Sequence, residues 1–255
     1  RLLAHFRVAK AERLTVMFLK GGLHTVWSYT KEVLFPLFCL GCGTESFVLC
    51  DTCYASINKK SVLCCPVCHA FNLNGAPCIS CAVDSFLDQH LACVPYDQGG
   101  LLAQILHQFK YGYVSECGSV FKRMIDEMAH IFSGFLFPID YCVPVPLHKR
   151  RYAERGYNQS NFIAESLGTH VSCTLRQDLL ARIVNTKQQA LLSKEERKQN
   201  VKVAFKVIKP SETKGKSILL VDDVYTTGST MRSAARALKE QGGALRVMGF
   251  SLARG

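Results

Sequence analysis

The sequence predicts an α/β fold in which a mainly parallel sheet is wrapped by helices and preceded by a small cysteine-rich module. Three observations carry that expectation. Beyond residue 81, strand-like apolar runs alternate with helical stretches; "SILLVDD" (217–223) is continuously apolar until its two acids, as in strands buried on both faces; and nine of thirteen cysteines lie between Cys39 and Cys81.

Taken in order, residues 1–33 read as an N-terminal extension, with the first methionine at Met17 and neither the apolar core nor the small-residue cleavage site of an export signal. Residues 34–90 form the cysteine module. It contains four C-x-x-C pairs, Cys39/Cys42, Cys50/Cys53, Cys65/Cys68 and Cys78/Cys81. Such a turn lets two thiolates converge on one tetrahedral cation, so two pairs close one structural zinc site and eight ligands imply about two Zn²⁺. Spacing leaves open whether the pairs combine in sequence or interleave. Disulfides are the competing reading, disfavoured where no export signal is seen. Cys64 and His69 adjoin the ligands as bystanders, and Cys93, Cys117, Cys142 and Cys173 sit in or beside apolar segments as small hydrophobes.

Residues 91–255 form the α/β domain. "LACVPYD" (91–97) is a strand, and Leu102, Ile105, Leu106 and Phe109 recur at helical spacing after it. "IDYCVPV" (139–145) is a second strand, followed by a helix from Gln159 to Gly168. After "SILLVDD", Met231, Ala234, Ala235 and Leu238 mark a helix that Gly242 and Gly243 stop, and "ALRVMGFSL" (244–252) is the closing strand. Strand, helix and strand at this length make a βαβ unit.

The formal charge of +11 is unevenly spread: residues 144–216 carry 15 Lys and Arg against 6 Asp and Glu. A basic region of this kind attracts phosphates, whether of a nucleotide, a sugar pyrophosphate or a nucleic acid. No apolar run reaches the length of a membrane-spanning helix, the best being Ile131 to Ile139, interrupted by Pro138. No membrane insertion and a cytoplasmic location are therefore expected.

The densest chemistry is "VDDVYTTGST" (221–230). Asp222 and Asp223 fall toward the carboxyl end of a parallel strand, where ligands bind in such sheets. The loop from Val224 through Tyr225, Thr226, Thr227, Gly228, Ser229 and Thr230 leads into a helix, so amides, hydroxyls and the helix's positive end can receive an anion. Gly228 lets backbone approach that anion closely. Ordinary helix capping does not account for two acids and four hydroxyls together. The chain has neither a G-x-x-x-x-G-K-[ST] loop nor a G-x-G-x-x-G fingerprint.

These residues resemble a known family. "ILLVDDVYTTGST" is similar to the phosphoribosyl-pyrophosphate (PRPP) loop of type I phosphoribosyltransferases, with Tyr225 where a smaller aliphatic residue is common. "HQFKYGY" (107–113), "PVPLHKRRYAERGYNQS" (144–160), "TKQQALLSKEERKQNVKVAF" (186–205) and the cysteine module extend the resemblance to the ComF family of competence-associated, phosphoribosyltransferase-like proteins. It implies that Asp222 and Asp223 hold the ribose hydroxyls, directly or through Mg²⁺-bound water, and that Thr226 to Thr230 hold the 5′-phosphate. Pro146, Leu147 and His148 would form the pyrophosphate loop, with Lys149, Arg150, Arg151 and Arg155 near the leaving diphosphate. Residues 182–200 resemble a loop that closes over the site. Lys110, Asn158 and Gln159 belong to matching motifs and serve equally well as local hydrogen bonders.

Two functions are in play, the first implied by the resemblance and the second by the basic region and the metal module. One is Mg²⁺-dependent transfer of a phosphoribosyl group from PRPP to a nitrogen acceptor. The other is an adaptor that holds single-stranded DNA with its metal module and basic region, in partnership with the DNA-uptake machinery of competence.

Overall fold

The computed structural model describes residues 36–112, 116–135, 137–184 and 204–255. The chain divides into two units, one ending at Ser56 and the other Ile57–Gly255. The first holds a cysteine turn and one short helix, α1 (Asp51–Ala55). The larger unit contains all the strands that follow.

Its main sheet has six strands in the order β1-β2-β8-β7-β3-β4: β1 (Val62–Leu63), β2 (Gln89–Pro95), β3 (Tyr141–Pro144), β4 (Thr174–Leu175), β7 (Ser217–Tyr225) and β8 (Arg246–Arg254). All neighbouring pairs are parallel except β1–β2, where Val62 faces Ala92 and Leu63 faces Leu91. β1 lies between the second and third C-x-x-C pairs, so the cysteine segment supplies the sheet's edge. Through that pairing residues 62–63 of the cysteine segment belong to the larger unit. A separate antiparallel hairpin joins β5 (Leu180–Arg182) and β6 (Phe205–Val207).

The central run Ile218, Leu219, Leu220 and Val221 is fully buried, because both faces of the sheet are covered. Successive residues of a strand point to opposite faces. Ile218 and Leu220 join a core with Val143, Phe205, Met231, Ala234 and Leu238, built under α7 (Ser229–Glu240) and the β5–β6 hairpin. Leu219 and Val221 face the other layer, where α5 (Gln159–Leu167) packs on β3 and β7 beside α3 (Cys117–Glu127). Helix α2 (Leu101–Tyr111) follows β2 and packs on α3 through its buried side, which includes Leu102, Ile105, Leu106 and Phe109. The remaining α-helices among the described residues are α4 (Lys149–Arg155), after β3, and α6 (Pro210–Thr213), before β7.

The predicted strands and helices of the larger unit are present with ends shifted by a few residues. The largest change in the site is that β7 runs on through both acids to Tyr225, leaving a turn of only Thr226 to Gly228 before α7. Residues 1–33 and most of the expected closing loop, 185–200, lie outside the described residues. Among the described residues, no helix is long and apolar enough to cross a membrane.

Candidate functional site

Parallel strands end together, so the segments following β2, β3 and β7 converge at one rim of the sheet. They line a cleft of about 310 Å³ whose walls include Lys110, Pro146, Leu147, Arg151, Arg155 and Gln159. Tyr96, Arg182, Asp222, Asp223, Val224, Thr226 and Thr230 complete its polar floor and mouth.

The two acids are held differently. Asp223 is buried and accepts an ion pair from Lys110 Nζ at 2.7 Å. Asp222 is half-buried, and its Oδ1 accepts hydrogen bonds from Ser160 Oγ at 3.1 Å and the Asp223 amide at 3.0 Å. Desolvation, then the charge of Asp223, pushes the Asp222 carboxyl up to about 7, against the opposing pull of Lys110. Burial works against the Lys110 ammonium, yet Asp223 and then Asp222 hold its pKa above the usual value.

The loop after β7 closes a small cup bounded by Thr226, Thr227, Gly228, Ser229 and Thr230. Thr227 Oγ1 lies 3.2 Å from Ser229 Oγ and accepts the Ser229 amide at 3.4 Å. Gly228 is the N-cap of α7 at φ +69°, so no side chain stands before the helix's first amides. A Cβ there would lie 2.2 Å from the Tyr225 ring, so glycine is demanded by packing as well as by conformation.

The basic segment after β3 is split by its helix. His148 caps α4, its Nδ1 accepting the Arg150 amide at 3.3 Å, and Arg150 pairs along the exposed face with Glu154 at 3.2 Å. Lys149 and Arg150 are exposed, and neither they nor His148 line the cleft; Pro146, Leu147, Arg151 and Arg155 do. Arg155 donates to Gln159 Oε1 at 3.0 Å and to Tyr111 Oη at 2.9 Å, which fixes its guanidinium over the Tyr111 ring.

Gln159 is 1% exposed, and its Nε2 has no hydrogen-bond partner among the described residues. An orphaned donor on a cleft wall fits a site built for a polar ligand. Asn158 instead caps α5 and donates to the Val145 carbonyl at 3.0 Å, a local role. Arg182 and Tyr96 enter from segments distant in sequence. Burial, then the charge of Arg151, keeps the Arg182 pKa below its usual value, and Arg182 opens the segment that resembles a closing loop.

The eight candidate metal ligands gather as two sequential tetrads, Cys39, Cys42, Cys50 and Cys53, then Cys65, Cys68, Cys78 and Cys81. Within each, the four sulfurs lie within 4.8 Å of one another, and each set of four thiols can hold one zinc ion. Burial opposes ionisation of Cys39 and Cys65, but amide N–H groups donated to sulfur outweigh it and bring both thiols to about 6. Their neighbours Cys53 and Cys81 are pushed up to about 12, chiefly by contact with Cys50 and Cys78. A dication removes that conflict by making every thiolate a ligand. Cys64 and His69 stand outside both tetrads.

Comparison with known proteins agrees with this architecture. Residues 163–250 match the model of the phosphoribosyl transferase domain. The chain is 32% identical over 203 residues to the DNA utilization protein YhgH of Escherichia coli, covering 77% of this chain and 86% of that protein. It is 31% identical over 214 residues to competence protein ComFC of Bacillus subtilis, covering 81% and 84%. A shorter match, 35% over 101 residues, joins it to competence protein F of Haemophilus influenzae, covering 39% and 44%.

Proposed function

The chain belongs to the competence protein F (ComF) family of phosphoribosyl transferase-domain proteins, and from that premise we propose that it binds PRPP with Mg²⁺ in the cleft at the rim of β7 and transfers the phosphoribosyl group to a nitrogen acceptor. The observation that carries this reading is the meeting of an acid pair, a hydroxyl-lined cup and the arginines Arg151, Arg155 and Arg182 around one space.

In this reading the cup takes the 5′-phosphate through amides of the α7 N-terminus and the hydroxyls of Thr226, Thr227, Ser229 and Thr230. Asp222 and Asp223 accept hydrogen bonds from the ribose 2′- and 3′-hydroxyls. The backbone of Pro146 and Leu147, with Arg151 and Arg155, receives the diphosphate, and Gln159 Nε2 gains an acceptor. The oxygen-rich acid pair and the phosphates suit Mg²⁺, which supplies positive charge to the leaving group when bound. Catalysis then rests on cations fixed where negative charge grows.

The strand order favours a side for each reactant. The diphosphate lies toward β3, so an in-line acceptor approaches from the β8 and β2 side. There Tyr96 and Thr226 form a wall shared with a second groove of about 520 Å³, which also includes His69, Gln98 and Arg232.

Calorimetric titration with PRPP and Mg²⁺ tests the reading. Wild type gives saturable heat and the Asp222→Asn, Asp223→Asn double variant gives none; equal heats from both proteins rule the site out. Release of pyrophosphate with a panel of nitrogenous acceptors then separates transfer from binding.

A second reading, retention of single-stranded DNA, is favoured by helix α4, where Tyr152 is 51% exposed one turn from the exposed Lys149. An aromatic face next to a cation suits base stacking and backbone contact. The relatives' names, which speak of competence and DNA utilization, and a partnership with the uptake machinery accord with it. Such binding weakens with salt and survives in the double Asp variant.

A further inference from the structure

The two cysteine tetrads share a design but differ in what they touch. Tyr225, the last residue of β7, lies directly before the phosphate loop and is 1% exposed. Its hydroxyl donates to the Pro66 carbonyl at 2.6 Å, inside the turn between Cys65 and Cys68. Its ring packs on His90 with centroids 4.0 Å apart, and the Arg254 guanidinium lies over it at 4.9 Å. Arg254 donates in turn to the carbonyls of Cys64 at 3.2 Å and Cys65 at 2.8 Å. On the loop side, the ring occupies the space that any side chain on Gly228 would need.

We infer that Tyr225 is a strut through which metal occupancy of the second tetrad sets the shape of the phosphate loop. The physical reason is continuity. A common ion would clamp Cys65 to Cys68 and with them the turn that carries Pro66, which is otherwise braced by the Val67 amide donating to Cys65 Sγ at 3.4 Å and the His69 amide donating to the Cys65 carbonyl at 3.1 Å. Loss of the ion frees the turn, withdraws the carbonyl from a buried hydroxyl and leaves the ring without its anchor. Gly228, resting on that ring, loses its floor. The first tetrad lies in the other unit and serves as the built-in control. The strut does not depend on what the loop binds; only its consequence for affinity rests on the PRPP reading.

Amide hydrogen exchange of the full chain tests the inference without any ligand. The peptide covering residues 224–231 is compared in wild type, Tyr225→Phe, Cys78→Ser with Cys81→Ser, and Cys50→Ser with Cys53→Ser. One buried group stripped of its partner, the Pro66 carbonyl in Tyr225→Phe or the Tyr225 hydroxyl in the second-tetrad variant, is expected to raise local opening about tenfold. Exchange in that peptide should therefore rise by that factor in Tyr225→Phe and in the second-tetrad variant, while residues 217–222 stay protected and the first-tetrad variant matches wild type. Chelation should speed the loop in wild type, zinc should restore it, and neither should change it further in Tyr225→Phe. Unchanged loop exchange in Tyr225→Phe overturns the strut, as does an equal rise from the first-tetrad variant. If the second-tetrad variant unfolds as a whole, the Tyr225→Phe comparison decides alone. Absence of PRPP heat in wild type would overturn the ligand assignment and leave the exchange result standing.

Discussion

Lys110 Nζ lies 2.7 Å from Asp223 Oδ2, joining the last turn of α2 to the strand that carries the acid pair. The contact balances like charges, since Asp222 and Asp223 adjoin and only a nearby cation lets both ionise cheaply. Lys110→Met removes the largest attraction that lowers the Asp222 pKa from an already raised value of about 7. The pH midpoint of PRPP binding should then move upward, read by calorimetry from neutral to mildly alkaline pH. A midpoint equal to that of wild type removes Lys110 from the site.

Asp222 also makes stability depend on pH. Its folded pKa of about 7 exceeds the ordinary 3.8, so the folded state keeps the proton longer and loses stability as pH rises between those values. Asp222→Asn escapes that loss. The variant should melt above wild type at pH 8, by about 2–4 °C for each kcal/mol relieved, and the gap should close only as pH falls to the ordinary carboxyl value of 3.8. A gain larger in acid than in base contradicts the assignment.

Gly228→Ala should be costly twice over. The φ of +69° disfavours any side chain, and the new methyl would meet the Tyr225 ring at 2.2 Å. Together these are expected to cost about 2–4 kcal/mol in denaturant unfolding. In a Tyr225→Ala background the clash disappears and the cost should fall toward the conformational part. A cost identical in both backgrounds means that loop and ring do not touch.

The tetrads predict about two zinc ions per chain by metal analysis, and about one after serine replacement of two ligands in either set. Structural zinc contributes about 10–16 kcal/mol of binding energy in small modules, comparable to a domain's whole stability, so chelation should melt the cysteine turns. A metal-free chain with intact cysteine turns refutes the assignment.

Much of this was legible in the residues because it is written locally. The apolar run at 217–221 and the helical spacing of Met231, Ala234, Ala235 and Leu238 specify a buried strand and its crossover helix without outside help. The C-x-x-C pairs likewise declare metal ligands, although only folding makes the tetrads sequential. What could not be read depends on distant partners. Lys110 reaches Asp223 across 113 residues, and Tyr96 joins the cleft only once the strand ends align. The basic segment shows the same limit: α4 turns Arg151 inward and Arg150 outward, a distinction of helical phase that charge density does not record. Strand β1 is two residues long, too short for any alternation to announce it.

That two-residue strand has a consequence for anyone shortening the chain. Val62 and Leu63 cover the outer flank of β2, whose Leu91, Ala92, Cys93 and Val94 are among the most buried residues of the protein. A fragment trimmed to begin after Cys81, the last of the tetrad cysteines, would bare a greasy, hydrogen-bond-hungry margin, and it should self-associate during purification even with every residue of the cleft intact.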